Sequence, residues 1–195
     1  KGMKEKIDTD RTETRPGLRA NNAVIRAALN CEKPIVAWLE GAVAGGGISL
    51  ALACDFTIAE EDATYVFAFV NIGFVPDMGS SLLLARAVGK VKATELTMLG
   101  NRFKGRQAAE WGLVTKAVPA TELEAEIMKI AAKLAAGPTM AYARIKKIAN
   151  RVQYENLENV MANEAEYQQQ LCKSADHAEA VTAFFAKRRP IFRGR

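Results

Sequence analysis

Three consecutive glycines, Gly45-Gly46-Gly47, constrain the fold of this chain more than any other feature of its sequence. They follow residues 33–41, a short apolar run that a proline introduces and a glycine stops, as in a buried strand. Residues 48–53 are compact and apolar, which predicts a helix that begins directly after the glycines. Residues 55–59 then predict another strand. The order strand, glycine turn, helix, strand is typical of a βαβ unit.

The rest of the chain changes character at Pro119. Before it, the pattern predicts short strands, a helix divided at Gly89, one further helix and a last strand, over residues 63–70, 82–99, 106–111 and 113–118. After it, helical periodicity predominates over residues 123–136, 139–150, 157–171 and 177–187, and Thr121 and Glu124 predict a capping box. We expect a core domain over residues 1–119 and a helical region over residues 120–195, packed on the core or on a neighbouring subunit.

Cysteine and histidine usage excludes several kinds of site. The three cysteines, Cys31, Cys54 and Cys172, are widely spaced, so neither a disulfide framework nor a thiolate metal site is indicated. His177 is the only histidine, which argues against Ser-His catalysis and most zinc chemistry. With no apolar run long enough for a membrane span and no signal-like N-terminus, we expect a cytoplasmic protein without a membrane association.

Beyond the glycines, several motifs occur in a characteristic order and spacing. They are Lys33-Pro34-Ile35-Val36, the segment 41–47, Ala51-Xaa-Ala53-Cys54-Asp55, Pro76-Asp77-Xaa-Gly79, Ala85-Arg86-Xaa-Val88-Gly89, the run Ala-Ala-Glu-Trp-Gly-Leu-Val from Ala108, and the closing segment 183–188 with Phe192. In this order the chain resembles the enoyl-CoA hydratase/isomerase (crotonase) family from about Gly2 to Arg195. Such a match is specific for the family but much less so for the reaction.

The resemblance implies an α/β fold, a spiral of ββα units, followed by helices that mediate trimers, usually paired into hexamers. It also implies that the Gly46 N–H is one of two peptide donors that bind the thioester oxygen as it becomes an enolate. Gly45 and Gly47 would then adjoin the substrate. The second donor of the family lies in a loop before a segment like Lys1-Gly2-Met3, so we expect the first strands and that loop to be missing from this chain.

The residue types at three positions favour isomerisation over hydration. Hydratases of the family use two glutamates to activate water, and those positions correspond here to Ser49 and Phe69. Asp77 stands where several isomerases of the family carry their single acidic residue. One carboxylate can move a proton from C2 to C4 of a 3-enoyl thioester, and its apolar neighbours Phe69, Phe74 and Met78 are expected to line the substrate pocket and to raise its pKa.

Several alternatives remain open on the sequence. Asp77 could be only a turn or capping residue in Pro-Asp-Xaa-Gly. A hydratase-like enzyme, an aryl-CoA dehalogenase that uses Asp77 as nucleophile, and ring-opening isomerisation of an epoxide or oxepin thioester are further enzymatic alternatives. A non-catalytic coenzyme A- or RNA-binding homologue is the non-enzymatic one, motivated by the missing glutamates and the basic C-terminus. The net charge of +5 could attract nucleic acid or the phosphates of a nucleotide-like cofactor, and of these partners nucleic acid is the less favoured.

Contacts with coenzyme A are expected near the C-terminus. Phe184 and Lys187 match positions where members of the family touch the adenine and phosphates of coenzyme A, often from an adjacent subunit. Without the resemblance, Phe184 could be a core residue and Lys187 a solvated helix end. The expected partner is therefore an acyl-CoA thioester in a homotrimer or hexamer. No metal is expected, and no cofactor beyond the coenzyme A moiety of the substrate.

Overall fold

The computed structural model of the protein describes residues 15–195. Lys1-Gly2-Met3 lies outside these residues. It is the segment that the loop with the second oxyanion donor is expected to precede. The strands are β1 (Val36–Leu39), β2 (Ala42–Ala44), β3 (Phe56–Glu60), β4 (Thr64–Val66), β5 (Arg102–Lys104) and β6 (Lys116–Val118). The helices are α1 (Arg15–Asn30), α2 (Gly46–Leu52), α3 (Ser80–Leu99), α4 (Gly105–Glu110), α5 (Ala120–Ala135), α6 (Thr139–Gln153), α7 (Leu157–Leu171) and α8 (Ala175–Phe185).

The structure has two three-stranded sheets, and the first four strands of the chain belong to them alternately. Each of the first two turns of the spiral gives one strand to each sheet, so that β1 pairs in parallel with β3, and β2 pairs in parallel with β4. β6 completes the first sheet by pairing in parallel with β3, and β5 completes the second by pairing antiparallel with β4. The predicted βαβ unit is therefore present, with β2 inserted between its first strand and its helix.

The core lies between the sheets and the helices that follow them. Its largest cluster includes Tyr65 and Phe67, both fully buried, and Tyr65 stacks on Phe103 of the neighbouring strand at 5.3 Å between ring centroids. The predicted break at Gly89 is confirmed, because φ is 75° and ψ is 162° there, outside the helical region. The apolar segments of the sequence thus place the glycine turn at one end of a packed sheet.

The C-terminal helices pack on the core through separate contacts. α5 buries Leu123 and Ile127 against the first sheet, and α7 packs on α1 and α3. α6 is held by Lys146, which is 6% exposed and donates to Asp55 Oδ2 at 2.7 Å. Because that carboxylate also accepts from the Ile35 N–H at 2.8 Å, the ion pair joins α6 to the entry of β1.

Several helix starts differ from the sequence prediction, among them two that lack a local side-chain cap. α5 begins at Ala120, with Pro119 at its N-cap and no side-chain cap, so the capping box predicted at Thr121 and Glu124 is wrong. α3, predicted from residue 82, begins instead at Ser80 after Gly79, again without a local side-chain cap. Within residues 15–195, no helix combines the length and apolar character needed to cross a bilayer.

Candidate active site

The glycine turn leaves two backbone donors without a partner in the described part of the chain. Gly45 has φ 50° and ψ −121°, a conformation that disfavours residues with a side chain, and donates to the Val66 carbonyl at 3.1 Å. Its own carbonyl accepts from Ile48 and Ser49 at 3.0 and 3.3 Å. The N–H groups of Gly46 and Gly47 are therefore the two that remain at the start of α2.

A loop over residues 67–79 covers this turn. The ring of Phe69, 8% exposed, lies 3.6 Å from the position that a Cβ on Gly45 would occupy. The sulfur of Met78, also 8% exposed, lies 2.7 Å from the corresponding position on Gly46, whereas Gly47 has open space there. The structure thus brings Phe69 and Met78 against the glycines, as their proposed role in a common pocket requires.

Ser49 joins the glycine turn to the backbone of Asp77. The serine is fully buried, and its hydroxyl lies 3.5 Å from the Gly45 carbonyl and 3.4 Å from the Asp77 carbonyl. The Asp77 carbonyl also accepts from the Ser80 N–H at 3.0 Å and the Ser80 hydroxyl at 2.7 Å. Asp77 therefore does form a turn, but it does so with its main chain.

The Asp77 side chain is not used by that turn. Oδ2 accepts from Gln168 Nε2 at 3.3 Å, and Oδ1 is buried with no hydrogen-bond partner among the described residues. Burial raises the pKa of Asp77, and the hydrogen bond from Gln168 opposes that rise. A buried carboxylate oxygen left without a partner is costly and is typical of functional sites.

Glu164 is a buried carboxylate that the sequence analysis missed. It is 4% exposed, and it accepts from the Gly79 N–H at 2.7 Å and the Ser81 N–H at 3.0 Å. It therefore supplies the cap of α3 from another helix. Burial raises the pKa of Glu164, and the nearby charge of Asp77 raises it further. The hydrogen bonds that Glu164 accepts from Ser81 and Gly79 oppose this rise.

Phe74 lies at the contact between the loop and α8. Its ring stacks on His177 with centroids 4.0 Å apart and an interplanar angle of 10°. His177 Nδ1 lies 2.7 Å from the Ile72 carbonyl, so the only histidine of the sequence ties α8 to the loop. The structure records no contact of Phe74 with the glycines, and its predicted role in substrate binding stays a prediction.

Phe184 and Lys187 lie at the exposed end of α8. Phe184 is 67% exposed, packs edge to face on Phe185, and lies about two helical turns beyond His177. Lys187, which is also exposed, follows the helix with φ 51°. Their predicted contacts with coenzyme A stay a prediction. Among the described residues there is no group of three or more His, Cys, Asp or Glu side chains that could hold a metal ion.

Comparison with known proteins connects this geometry to a family. The sequence profile described as enoyl-CoA hydratase/isomerase matches residues 2–195. The chain belongs to the enoyl-CoA hydratase/isomerase family. The spiral of the two sheets is accordingly the crotonase fold, and that prediction is confirmed.

Three members of the enoyl-CoA hydratase/isomerase family show how far the similarity extends. The chain is 36% identical to 1,2-epoxyphenylacetyl-CoA isomerase of Escherichia coli over 177 residues, which are 91% of this chain and 68% of that protein. It is 38% identical to a probable enoyl-CoA hydratase of Rhodobacter capsulatus over 172 residues, 88% of this chain and 67% of that protein. A crystal structure of an enoyl-CoA hydratase from Mycobacterium avium subsp. paratuberculosis has a TM-score of 0.88 at 40% identity, and the match covers 90% of this chain and 72% of that one.

The chain thus spans about two thirds of the length of both relatives. One of these relatives is named an isomerase and the other a hydratase. Membership of the enoyl-CoA hydratase/isomerase family therefore fixes a class of enzymes, and the reaction depends on the residues of the site.

Proposed function

We propose that this protein is an isomerase that moves the double bond of an enoyl-CoA thioester from C3 to C2. The observation that carries the proposal is the Asp77 carboxylate, which has one oxygen buried and unpaired among the described residues, on a residue whose main chain is joined to the glycine turn through Ser49. At the two positions where a hydratase of the family has glutamates, the chain has the fully buried Ser49 and the 8% exposed Phe69. One base at this site is enough for isomerisation and too few for that hydration mechanism.

In the proposed mechanism, Asp77 Oδ1 removes a proton from C2 of the thioester. The electron pair of the C–H bond forms a dienolate whose oxygen accepts a hydrogen bond from the Gly46 N–H. The protonated Asp77 then returns the proton at C4, so that the C3–C4 double bond becomes a C2–C3 double bond. No atom is gained or lost, and the carboxylate is regenerated. The reaction uses no cofactor beyond the coenzyme A moiety of its substrate.

Ring-opening isomerisation of an epoxide thioester is a second candidate, favoured by the 36% identity to the E. coli epoxyphenylacetyl-CoA isomerase. The apolar side chains of Phe69 and Met78 beside Gly45 and Gly46 support either acyl group. Both candidates use the enolate donor and Asp77 in the same roles.

The deciding experiment incubates the purified protein with a 3-enoyl-CoA, a 2-enoyl-CoA and an epoxyphenylacetyl-CoA in separate reactions. We expect one of the two isomerisations to proceed without a change in mass, and the 2-enoyl-CoA to gain no water. Rapid hydration of the 2-enoyl-CoA without isomerisation would contradict the proposal, as would inertness towards all three thioesters.

We also propose that the protein assembles as a homotrimer, alone or paired into a hexamer, in which Phe184 and Lys187 contact the coenzyme A bound by an adjacent subunit. The support is an exposed apolar stripe on α6, where Ile145, Ile148 and Val152 are 64%, 65% and 69% exposed at helical spacing.

Light scattering during size-exclusion chromatography tests this assembly. We expect a trimeric or hexameric mass for the wild type and a smaller particle for Ile148→Asp, because a charge in an apolar interface is left unpaired. Lys147→Asp, one residue along and off the stripe, is the matched control and should keep the wild-type mass. A monomeric wild type would contradict the proposal.

A further inference from the structure

Gln168 is a buried polar side chain of α7 that the proposed mechanism does not use. It is 3% exposed, and its Nε2 donates to the Val75 carbonyl at 2.9 Å and to Asp77 Oδ2 at 3.3 Å. One amide group therefore contacts the main chain on the N-terminal side of Asp77 and the side chain of Asp77 itself. Glu164, one turn earlier on α7, binds the main chain on the C-terminal side, at Gly79 and Ser81.

These contacts make the two oxygens of the carboxylate unequal. The Asp77 main chain is fixed by Ser49 and Ser80, so the side chain retains only its own torsions. The hydrogen bond from Gln168 restrains those torsions through Oδ2. Oδ1 is then left in one orientation, buried and without a partner among the described residues.

We propose that Gln168 is the positioning residue of the base, holding Asp77 Oδ2 so that Oδ1 alone is presented to the proton on C2. The inference rests on the proposed function for the identity of that proton, and on the structure alone for the orientation of the carboxylate. Gln168 does not touch the substrate in this arrangement. It acts through Asp77.

The same contact also favours the ionised form of the base. Burial raises the pKa of Asp77, and the donor on Gln168 opposes this by stabilising the charged form. The other group on α7 that faces the loop and can carry charge is Glu164, whose pKa is also raised by burial. α8 contributes His177, stacked on Phe74, while Ser49 of α2 and Ser80 of α3 face Asp77 without charge.

The test replaces Gln168 by Met, which fills similar space without a donor. Gln170→Met is the matched control, because Gln170 lies on the exposed side of the same helix. On the acid limb of the pH profile we expect kcat/KM of Gln168→Met to fall about tenfold or more, the typical effect of losing a hydrogen bond to a charged group. On the plateau of the pH profile, the kcat of Gln168→Met should fall while its KM changes little. Gln170→Met should match the wild type in both kcat and KM.

A second readout does not depend on turnover. The ¹³C signal of the Asp77 carboxyl, assigned as the aspartate signal that Asp77→Asn removes, should titrate at higher pH in Gln168→Met than in the wild type. Gln168→Glu, which keeps the size of the side chain, should move it in the same direction and further, because it adds a like charge.

The inference is overturned if the carboxyl titrates as in the wild type in both Gln168 variants. It is also overturned if activity falls equally at every pH with KM rising, since that would indicate only a structural role. If the wild type isomerises none of the thioesters, the proposed function fails, and the carboxyl titration still decides whether Gln168 positions Asp77.

Discussion

Replacing Asp77 by Asn is expected to lower the isomerase kcat by about 10²- to 10⁴-fold, the usual contribution of a general base. Asn has nearly the same shape, and its amide oxygen can accept the hydrogen bond that Gln168 now donates to Oδ2. It cannot take a proton from C2. Burial raises the pKa of Asp77, which means that the fold disfavours its charge, so the thermal midpoint of the variant should be equal to or above that of the wild type.

Asp62→Asn makes the same chemical change at an exposed position and should leave kcat unchanged. The pH profile of the wild type provides a second check. Only ionised Asp77 can act as the base. We therefore expect kcat/KM to fall as the pH drops through the pKa of Asp77, which burial raises above the ordinary value of an aspartate. Retention of more than about a tenth of the activity in Asp77→Asn would exclude Asp77 as the base.

The strand, glycine turn, helix and strand could be predicted because each is encoded within a short segment. The three glycines mark the start of α2, and Gly89 marks the break in α3, since both need backbone conformations or space that few other residues allow. The same local reasoning failed at the start of α5. There the capping pattern at Thr121 and Glu124 is present, but the helix begins earlier, at Ala120, with Pro119 at its N-cap and no side-chain cap.

Glu164 and Gln168 show what local reasoning cannot supply. Both lie on the buried stripe of α7 with Leu157 and Met161, and two polar residues on an apolar stripe are a signal that could have been noticed. Their partners, however, lie 83 to 93 residues away in the chain. Only the packing of α7 on α3 reveals that the stripe faces the Asp77 loop, where Leu157 approaches Gly79 so closely that a side chain there would collide with it.

Replacing Gly46 by Pro is expected to lower kcat by about 10²- to 10³-fold, the typical effect of removing one oxyanion donor. Proline lacks the N–H that we assign to the enolate oxygen, and it is well tolerated at the first position of a helix, which Gly46 occupies in α2. KM should change less than kcat, because the charge on the oxygen develops only in the transition state.

Gly46→Ala is the variant that makes this measurement interpretable. Both substitutions add a Cβ that would lie 2.7 Å from the Met78 sulfur, which a flexible methionine side chain can accommodate by moving. Only proline also removes the donor and puts its ring Cδ in place of the N–H hydrogen, so the ratio of the two kcat values measures the loss of the N–H together with the blocking of its position. Far-UV circular dichroism and the thermal midpoint establish that both variants fold. If alanine and proline reduce kcat equally, the loss is steric, and the enolate oxygen must be held by another group.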